Sequence, residues 1–318
     1  MTAVNESVLR HVGLHRADVV SAERTPSRFA TLFPADVVTL RLRSGETQSV
    51  FVKRLGSEQA DHPDKERRDR EVRVYQQLLD DGRLPVPRFY GWEWDHENRR
   101  RELYLEYVDD LSLRYQALEH WLEAARELAR LHRWFAERRD RLDALTFLLR
   151  IDEAYIQAWA ERAVGAAWAL SPRLGLRLQR AVEGIGPAAA LLAGMPPTLV
   201  HNDLSPKNVI ASRSASPARI CFVDWELAGF GCGPLDLVHL RYGLGPADAS
   251  RMWSTYRAEL EGTDVVPDGV EEVAVLAACE LHKTLYRLAH AGRWRLPLST
   301  VEEWIADTER LLSAGAPA

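Results

Sequence analysis

Apolar and polar residues alternate at period two along "DVVTLRLRSGETQSVFVKRL", which predicts half-buried antiparallel strands over 37–43 and 48–54. Ser44 and Gly45 supply the turn between them. The period then lengthens. In "DKERRDREVRVYQQLLDDG" the apolar face of a helix is drawn by Val72, Val74, Tyr75, Leu78 and Leu79, and Gly82 marks its end. "LPVPRFYGWEWD" and "RELYLEYV" return to strand character as a second hairpin, with 95–101 as its polar loop. From Ala117 the chain is helix-periodic and rich in strong helix formers, with further helices expected over 148–170 and 174–193. A short island of strands and loops interrupts at 198–230, and helices resume after it. The pattern predicts an α+β chain of two lobes. Residues 1–107 form a small lobe with an antiparallel sheet and a helix, and residues 108–318 form a larger, mostly helical one.

Composition narrows the picture only in part. With 318 residues and 46% hydrophobic content, the chain can build real cores. Its net charge of −5 and lack of a basic stripe argue against a nucleic-acid footprint. The arginines of "DKERRDREVR" are interleaved with acids, so that stretch reads as a solvated helix face. Residues 1–107 hold 18 basic and 18 acidic side chains, so the whole acidic surplus lies in 108–318. An acidic lobe favours a cationic ligand, although a surplus this small over so long a stretch reads as ordinary surface charge. Three irregularly spaced cysteines fit a reducing compartment better than a disulfide framework or a zinc site. No apolar run approaches signal-peptide or membrane-spanning length, so a cytoplasmic protein that engages no membrane is expected. Oligomeric state leaves no mark.

The chemistry concentrates in "HNDLSPKNVI", residues 201–210. Pro206 breaks any helix there, so His201, Asp203 and Asn208 belong to a loop with fixed turns. "VI" at 209–210 and "ICFV" at 220–223 suit the two strands of a hairpin, which would bring Asn208 beside Asp224. An ionised carboxylate in so apolar a run needs compensation. One amide oxygen and one carboxylate suit Mg²⁺, which takes few protein ligands and keeps waters and phosphates for the rest. Asp203 is then free to orient a nucleophilic hydroxyl, and these are the parts that phosphoryl transfer needs.

"HNDLSPKN" resembles the catalytic loop of the aminoglycoside phosphotransferase and choline kinase-like family, a branch of the protein-kinase-like fold. "FVDWELAGFGCGPLDL" is similar to that family's metal-binding segment. The resemblance runs from about Asp18 to about Leu240 and implies a bilobal protein-kinase-like fold that uses ATP and Mg²⁺. It implies Asp203 as the catalytic residue and Asn208 and Asp224 as metal ligands. Lys53, in "SVFVKRL", is implied on the nucleotide phosphates, with Glu71 as its helix partner. "LYLEYVDD" is implied as the hinge whose backbone holds adenine, at Glu106 to Val108. His201 is expected to shape the loop, and Asp236, in "GPLDLVHL", to brace it or cap a helix.

Two departures from the wider kinase pattern stand out. "ERTPSRFATLFPADVV" has no glycine where protein kinases carry a Gly-rich loop. Ser27 and neighbouring amides, with Arg28 as a charge, are candidate substitutes on the phosphates, and a plain surface hairpin is the other reading of the stretch. Protein kinases also carry a lysine two residues after the catalytic Asp; here Ser205 stands there and Lys207 follows four after it, facing substrate or solvent. Trp225, Trp253, Tyr256, Trp294 and Trp304 read as core rather than as a cage for a quaternary ammonium. Glu280 and His282 lie on a late helix of the kind that borders the substrate cleft, with Glu280 a candidate substrate contact. The acceptor implied is a hydroxyl of an antibiotic, aminoglycoside-type or other, or of a natural product. A choline-, thiamine- or homoserine-type metabolic kinase and a nucleotide-binding pseudokinase stand beside that reading. A protein kinase does not fit, because no long activation segment follows Asp224.

Overall fold

The computed structural model describes residues 6–27, 33–55, 63–65, 67, 69–95, 97, 100–108, 111–212 and 218–314. In chain order the first elements are α1 (Glu6–Val12), β1 (Val19–Pro26), β2 (Ala35–Leu42), β3 (Thr47–Leu55), α2 (Arg70–Val74), β4 (Phe89–Asp95) and β5 (Arg100–Glu106). Then follow α3 (Leu118–Ala136), α4 (Arg139–Asp143), β6 (Leu149–Arg150), α5 (Glu153–Leu170), α6 (Pro172–Val182), α7 (Gly186–Gly194) and β7 (Pro197–Val200). The last are β8 (Val209–Ser212), β9 (Arg219–Phe222), β10 (Gly229–Cys232), α8 (Pro234–Leu240), α9 (Pro246–Glu259), α10 (Glu272–Ala289) and α11 (Leu298–Ala314). They fall into two units: Met1–Gln116 with Asn208–Leu227, and Ala117–Lys207 with Ala228–Ala318.

The first unit is built on an antiparallel sheet of order β1-β2-β3-β5-β4. Period-two alternation sends Val38, Leu40, Val50, Val52 and Tyr104 to one face, where Val8 and Leu9 of α1 cover them. Each such aliphatic residue removed from water contributes about 1.5–3 kcal/mol, so this face is the main source of the sheet's stability. Lys53 and Phe51 point the other way along β3, and Lys53 pairs in register with Leu103. α2 continues through a wider π turn at Tyr75–Leu79, and Gly82 (φ +72°) follows in the left-handed conformation. The β8–β9 hairpin belongs to this unit because its strands are tied there. Phe222 N–H donates to Pro85 O at 2.7 Å, and Ile210 bridges to Ser112.

In the second unit α10 packs against α5, α7, α8 and α11, and a short sheet of order β6-β10-β7 lies among the helices. Trp159, Leu281 and Leu285 are at most 2% exposed and form part of this core.

The structure departs from the sequence pattern at several places. The helix expected over 148–170 starts at Glu153, because Leu149 and Arg150 pair with β10 and the Asp152 carboxylate caps α5 by accepting from Tyr155 N–H. The helix expected over 174–193 is two helices, broken before Gly186 with Pro187 in the first turn of α7. The stretch read as a solvated face buries Arg70 and Glu71, because both find polar partners inside the unit. The division of the chain also differs from a cut at 107/108. The first unit runs on to Gln116 and takes back the hairpin Asn208–Leu227.

Candidate active site

The β8–β9 register pairs Val209 with Phe222, and one rung further Val223 N–H donates to Asn208 O at 2.9 Å. The hairpin therefore sets Asn208 and Asp224 side by side at its open end. Asn208 is 5% exposed. Asp224 sits at φ +72°, a left-handed conformation that few non-glycine residues adopt and that stores local strain. A single turn at Trp225–Leu227 holds it there, pinned by the buried Trp225 indole donating to Phe222 O at 3.1 Å.

The Lys53 ammonium reaches into the same place from β3. It donates to Glu71 Oε2 at 2.6 Å and to Asp224 Oδ1 at 2.5 Å. Glu226 completes the group: its carboxylate pairs with Lys65, and its carbonyl accepts from Arg70 at 2.8 Å. Burial works against the charge on Lys53, but the carboxylates of Asp224, Glu71 and Glu226 outweigh it and hold the ammonium well above the usual lysine range. Burial pushes the Glu71 carboxyl up to about 7, because Glu71 shares one ammonium with Asp224 and is the more enclosed acid.

Among the described residues no group of three or more His, Cys, Asp or Glu side chains could hold a metal ion. The donor set at the hairpin end is one carboxylate and one amide oxygen. That set fits a hard cation which completes its shell with phosphates and water.

Of the remaining nucleotide candidates in this unit, Glu106 is already engaged. Its N–H donates to Arg88 O at 2.9 Å, and its carboxylate takes both ends of the Arg219 guanidinium at 2.5 and 2.7 Å. Those bonds hold the carboxyl below its usual range and tie β5 to β9. Val108 lies two residues on, half-buried. Ser27 N–H donates to Ala35 O at 2.8 Å, closing the end of the β1–β2 pair. Arg28 lies outside the described residues.

The second unit carries Asp203 on a loop braced from α8. Asp236, fully buried, accepts from the N–H groups of His201 at 2.6 Å and Asn202 at 2.8 Å. His132 Nε2 approaches the same carboxylate at 3.4 Å, while His132 Nδ1 meets Tyr256 Oη at 2.7 Å. A Cβ at Gly233 would lie 2.9 Å from both that imidazole and that hydroxyl, so only glycine lets α8 start there. His201 Nδ1 accepts from Asp203 N–H at 3.3 Å, which leaves the Asp203 carboxylate partly exposed, with Lys207 Nζ at 3.6 Å. Asn202 adopts φ +64° and donates to Tyr155 Oη at 2.9 Å. Glu280, on α10, pairs with Arg241.

Trp225, Trp253 and Tyr256 are buried, and Trp294 is about half exposed. Sequence reasoning passed over Glu226, Lys65, Asn202 and Tyr155, whose partners lie far off in the chain. It also passed over Lys283 and Arg287, although these recur with Glu280 at i, i+3 and i+7 on one helix face.

The profile of the phosphotransferase enzyme family matches residues 35–268, most of the chain. The chain belongs to that family. No curated protein matches it by sequence. Among solved structures it is similar to an aminoglycoside-3'-phosphotransferase of type VIII, with 20% identity, TM-score 0.53, and 89% of this chain and 97% of that one covered. It is also similar to the choline kinase LicA from Streptococcus pneumoniae (16%, TM-score 0.54, 97% and 97%) and to a Plasmodium vivax ethanolamine kinase (13%, TM-score 0.60, 97% and 86%). At such identities the likeness establishes the fold, which is protein-kinase-like. As a family member the chain is a phosphotransferase acting on hydroxyl groups of small molecules. No helix among the described residues is long and apolar enough to cross a membrane.

Proposed function

We propose that this phosphotransferase moves the ATP γ-phosphate to a hydroxyl of a natural product or antibiotic, with Mg²⁺ as its cation. The observation that carries the reading is the Lys53 ammonium, which bonds Glu71 and Asp224 together beside Asn208. Phosphoryl transfer passes through a loose transition state, so the protein contributes position and charge rather than covalent chemistry. Asn208 and Asp224 would hold Mg²⁺, which when bound neutralises charge on the β- and γ-phosphates. Lys53, steadied by Glu71, contacts the α- and β-phosphates. The backbone at 106–108 meets adenine, and Ser27 stands in for the missing glycines. Asp203 accepts the hydrogen bond of the acceptor hydroxyl and takes its proton as the new P–O bond forms and the bond from the γ-phosphorus to the departing ADP breaks. His201 and Asp236 position Asp203 through the loop backbone, and Lys207 and Glu280 lie on the acceptor side.

A metabolic alcohol kinase of choline, thiamine or homoserine type is the second reading. It is favoured by structural neighbours named for choline, ethanolamine and aminopropanol.

The test is Asp203→Asn. Mg-ATP affinity, read by calorimetry, should stay near that of the wild type. Transfer to a pooled acceptor panel, read by mass spectrometry, should fall by about 10²–10⁴. Turnover above a tenth of the wild-type rate would remove Asp203 from its role.

A further inference from the structure

The second unit holds a cavity of about 670 Å³ between the end of α8, the following loop, α9 and α10. Its size suits a small-molecule ligand. Arg241, Tyr242, Trp253, Glu280, Lys283 and Arg287 are among the residues that line it.

The charges in its wall do not cancel. Glu280 is taken by Arg241. Glu272, the other acid in the wall, accepts from the Trp253 indole at 2.7 Å and from Arg257 at 2.9 Å. That leaves Lys283 and Arg287. Lys283 is only 8% exposed, and its ammonium donates to Val238 O and His239 O, each at 3.0 Å. An ammonium has three donors, and among the described residues no carboxylate forms an ion pair with this one. Arg287 stacks its guanidinium 3.6 Å from the centre of the Tyr242 ring, and Lys283 lies 4.8 Å from the same ring. A ring face steadies cations but does not neutralise them. Burial and the neighbouring Arg287 charge hold Lys283 well below the usual lysine range. A charged amine buried beside a guanidinium is costly by itself, and an anion entering the cavity offsets that cost and favours the ammonium form of Lys283. Lys283 bonds the α8 carbonyls two and three residues past Asp236, whose carboxylate holds the N–H groups of His201 and Asn202, so the cavity borders the helix that braces the loop bearing Asp203.

We propose that this cavity is the acceptor site and that it selects a hydroxy acid, with Lys283 and Arg287 holding the carboxylate while the hydroxyl is presented to Asp203. A planar guanidinium binds a carboxylate through two parallel hydrogen bonds, and the ammonium adds its third donor as a point charge. The same wall repels choline and polyamine antibiotics. The inference rests on the phosphotransferase reading above.

The experiment uses the full chain with Mg-ATP binding, read by calorimetry, as a separate first arm. Loss of that binding would count against the kinase reading itself. In the second arm, gluconate is paired with glucosamine, glycerate with glycerol, and 4-hydroxybutyrate with choline. Affinity is read by saturation-transfer NMR and product by mass spectrometry. The acids should bind about tenfold or more tighter than their partners. Lys283→Met should abolish that preference, and Glu280→Gln, at a half-exposed position, should increase it. Arg287→Gln repeats the loss should Lys283→Met fold poorly. The proposal is overturned if no acid binds, if the amines are preferred, or if the Lys283 and Arg287 variants keep the acid affinity.

Discussion

Lys53 and Lys283 are each 8% exposed, yet their surroundings are opposite. Lys53, in the first unit, has two carboxylates within hydrogen-bond distance and a third nearby, and its charge is secured. Lys283, in the second, has two backbone carbonyls and a neighbouring guanidinium, and its charge is pushed toward the neutral form. Burial alone therefore says little about what a lysine does. A lysine bonded to carboxylates belongs to a prebuilt electrostatic frame, whereas a buried one bonded only to carbonyls marks where a ligand can supply the paired charge.

The largest difference between the two lysines should appear when each ammonium is removed in turn. Lys53→Met strands Glu71 and Asp224 against each other, and breaking a buried pair from one side costs about 3–5 kcal/mol. Lys283→Met deletes an amine that leaves no bonded carboxylate stranded. It loses two bonds to the last carbonyls of α8 but also sheds a desolvation cost, so its change should stay within about 2 kcal/mol. Denaturant unfolding of both variants reads the difference directly. Equal losses would mean that the two lysines are held alike and that the contrast is false.

A smaller effect should appear in the pH dependence, and its sign differs between the units. The Glu71 carboxyl titrates near 7 in the folded protein, against an ordinary value of 4.5. The folded state therefore binds the extra proton, and that contribution is complete below about 4.5 and lost as pH rises through 7. His282, fully buried on α10, is lowered from 6.5 to about 4 by burial. Its contribution is complete above 6.5 and lost as pH falls toward 4. Melting temperatures across this range should show Glu71→Gln gaining on the wild type as pH rises, and His282→Gln gaining as it falls. Parallel curves for either variant would show that the group does not titrate in that window.

What could be read beforehand follows the same division between local and distant causes. The β2–β3 and β4–β5 pairs show in period-two alternation, and the placing of Asn208 beside Asp224 follows from hairpin geometry alone. Both are settled by neighbours in sequence. Leu149 and Arg150 looked helical because nothing local reveals that β10, eighty residues on, pairs with them. Arg70 was hidden in a charged run for a similar reason: its partner carbonyl belongs to Glu226. The cavity in the second unit escaped as well. The helical repeat of Glu280, Lys283 and Arg287 is visible, but that Arg241 pairs with the glutamate while the lysine bonds two carbonyls of α8 is a tertiary fact.

The smallest expected effect tests whether secured charges count equally inside and outside. Arg219 and Glu106 form a two-pronged pair with better geometry than most, but their side chains are 44% and 27% exposed. Water screens such a pair, so its contribution is about 1 kcal/mol or less, against several for the enclosed Lys53 cluster. Arg219→Ala should lower the unfolding free energy by that amount, and the loss should shrink at high salt. Because the pair ties β9 to the end of β5, the variant should also weaken nucleotide binding slightly, by less than the salt-dependent stability change. A loss as large as that of Lys53→Met, or one indifferent to salt, would mean that the hairpin bearing Asn208 and Asp224 depends on this bridge and not on its backbone bonds to Pro85 and Ser112.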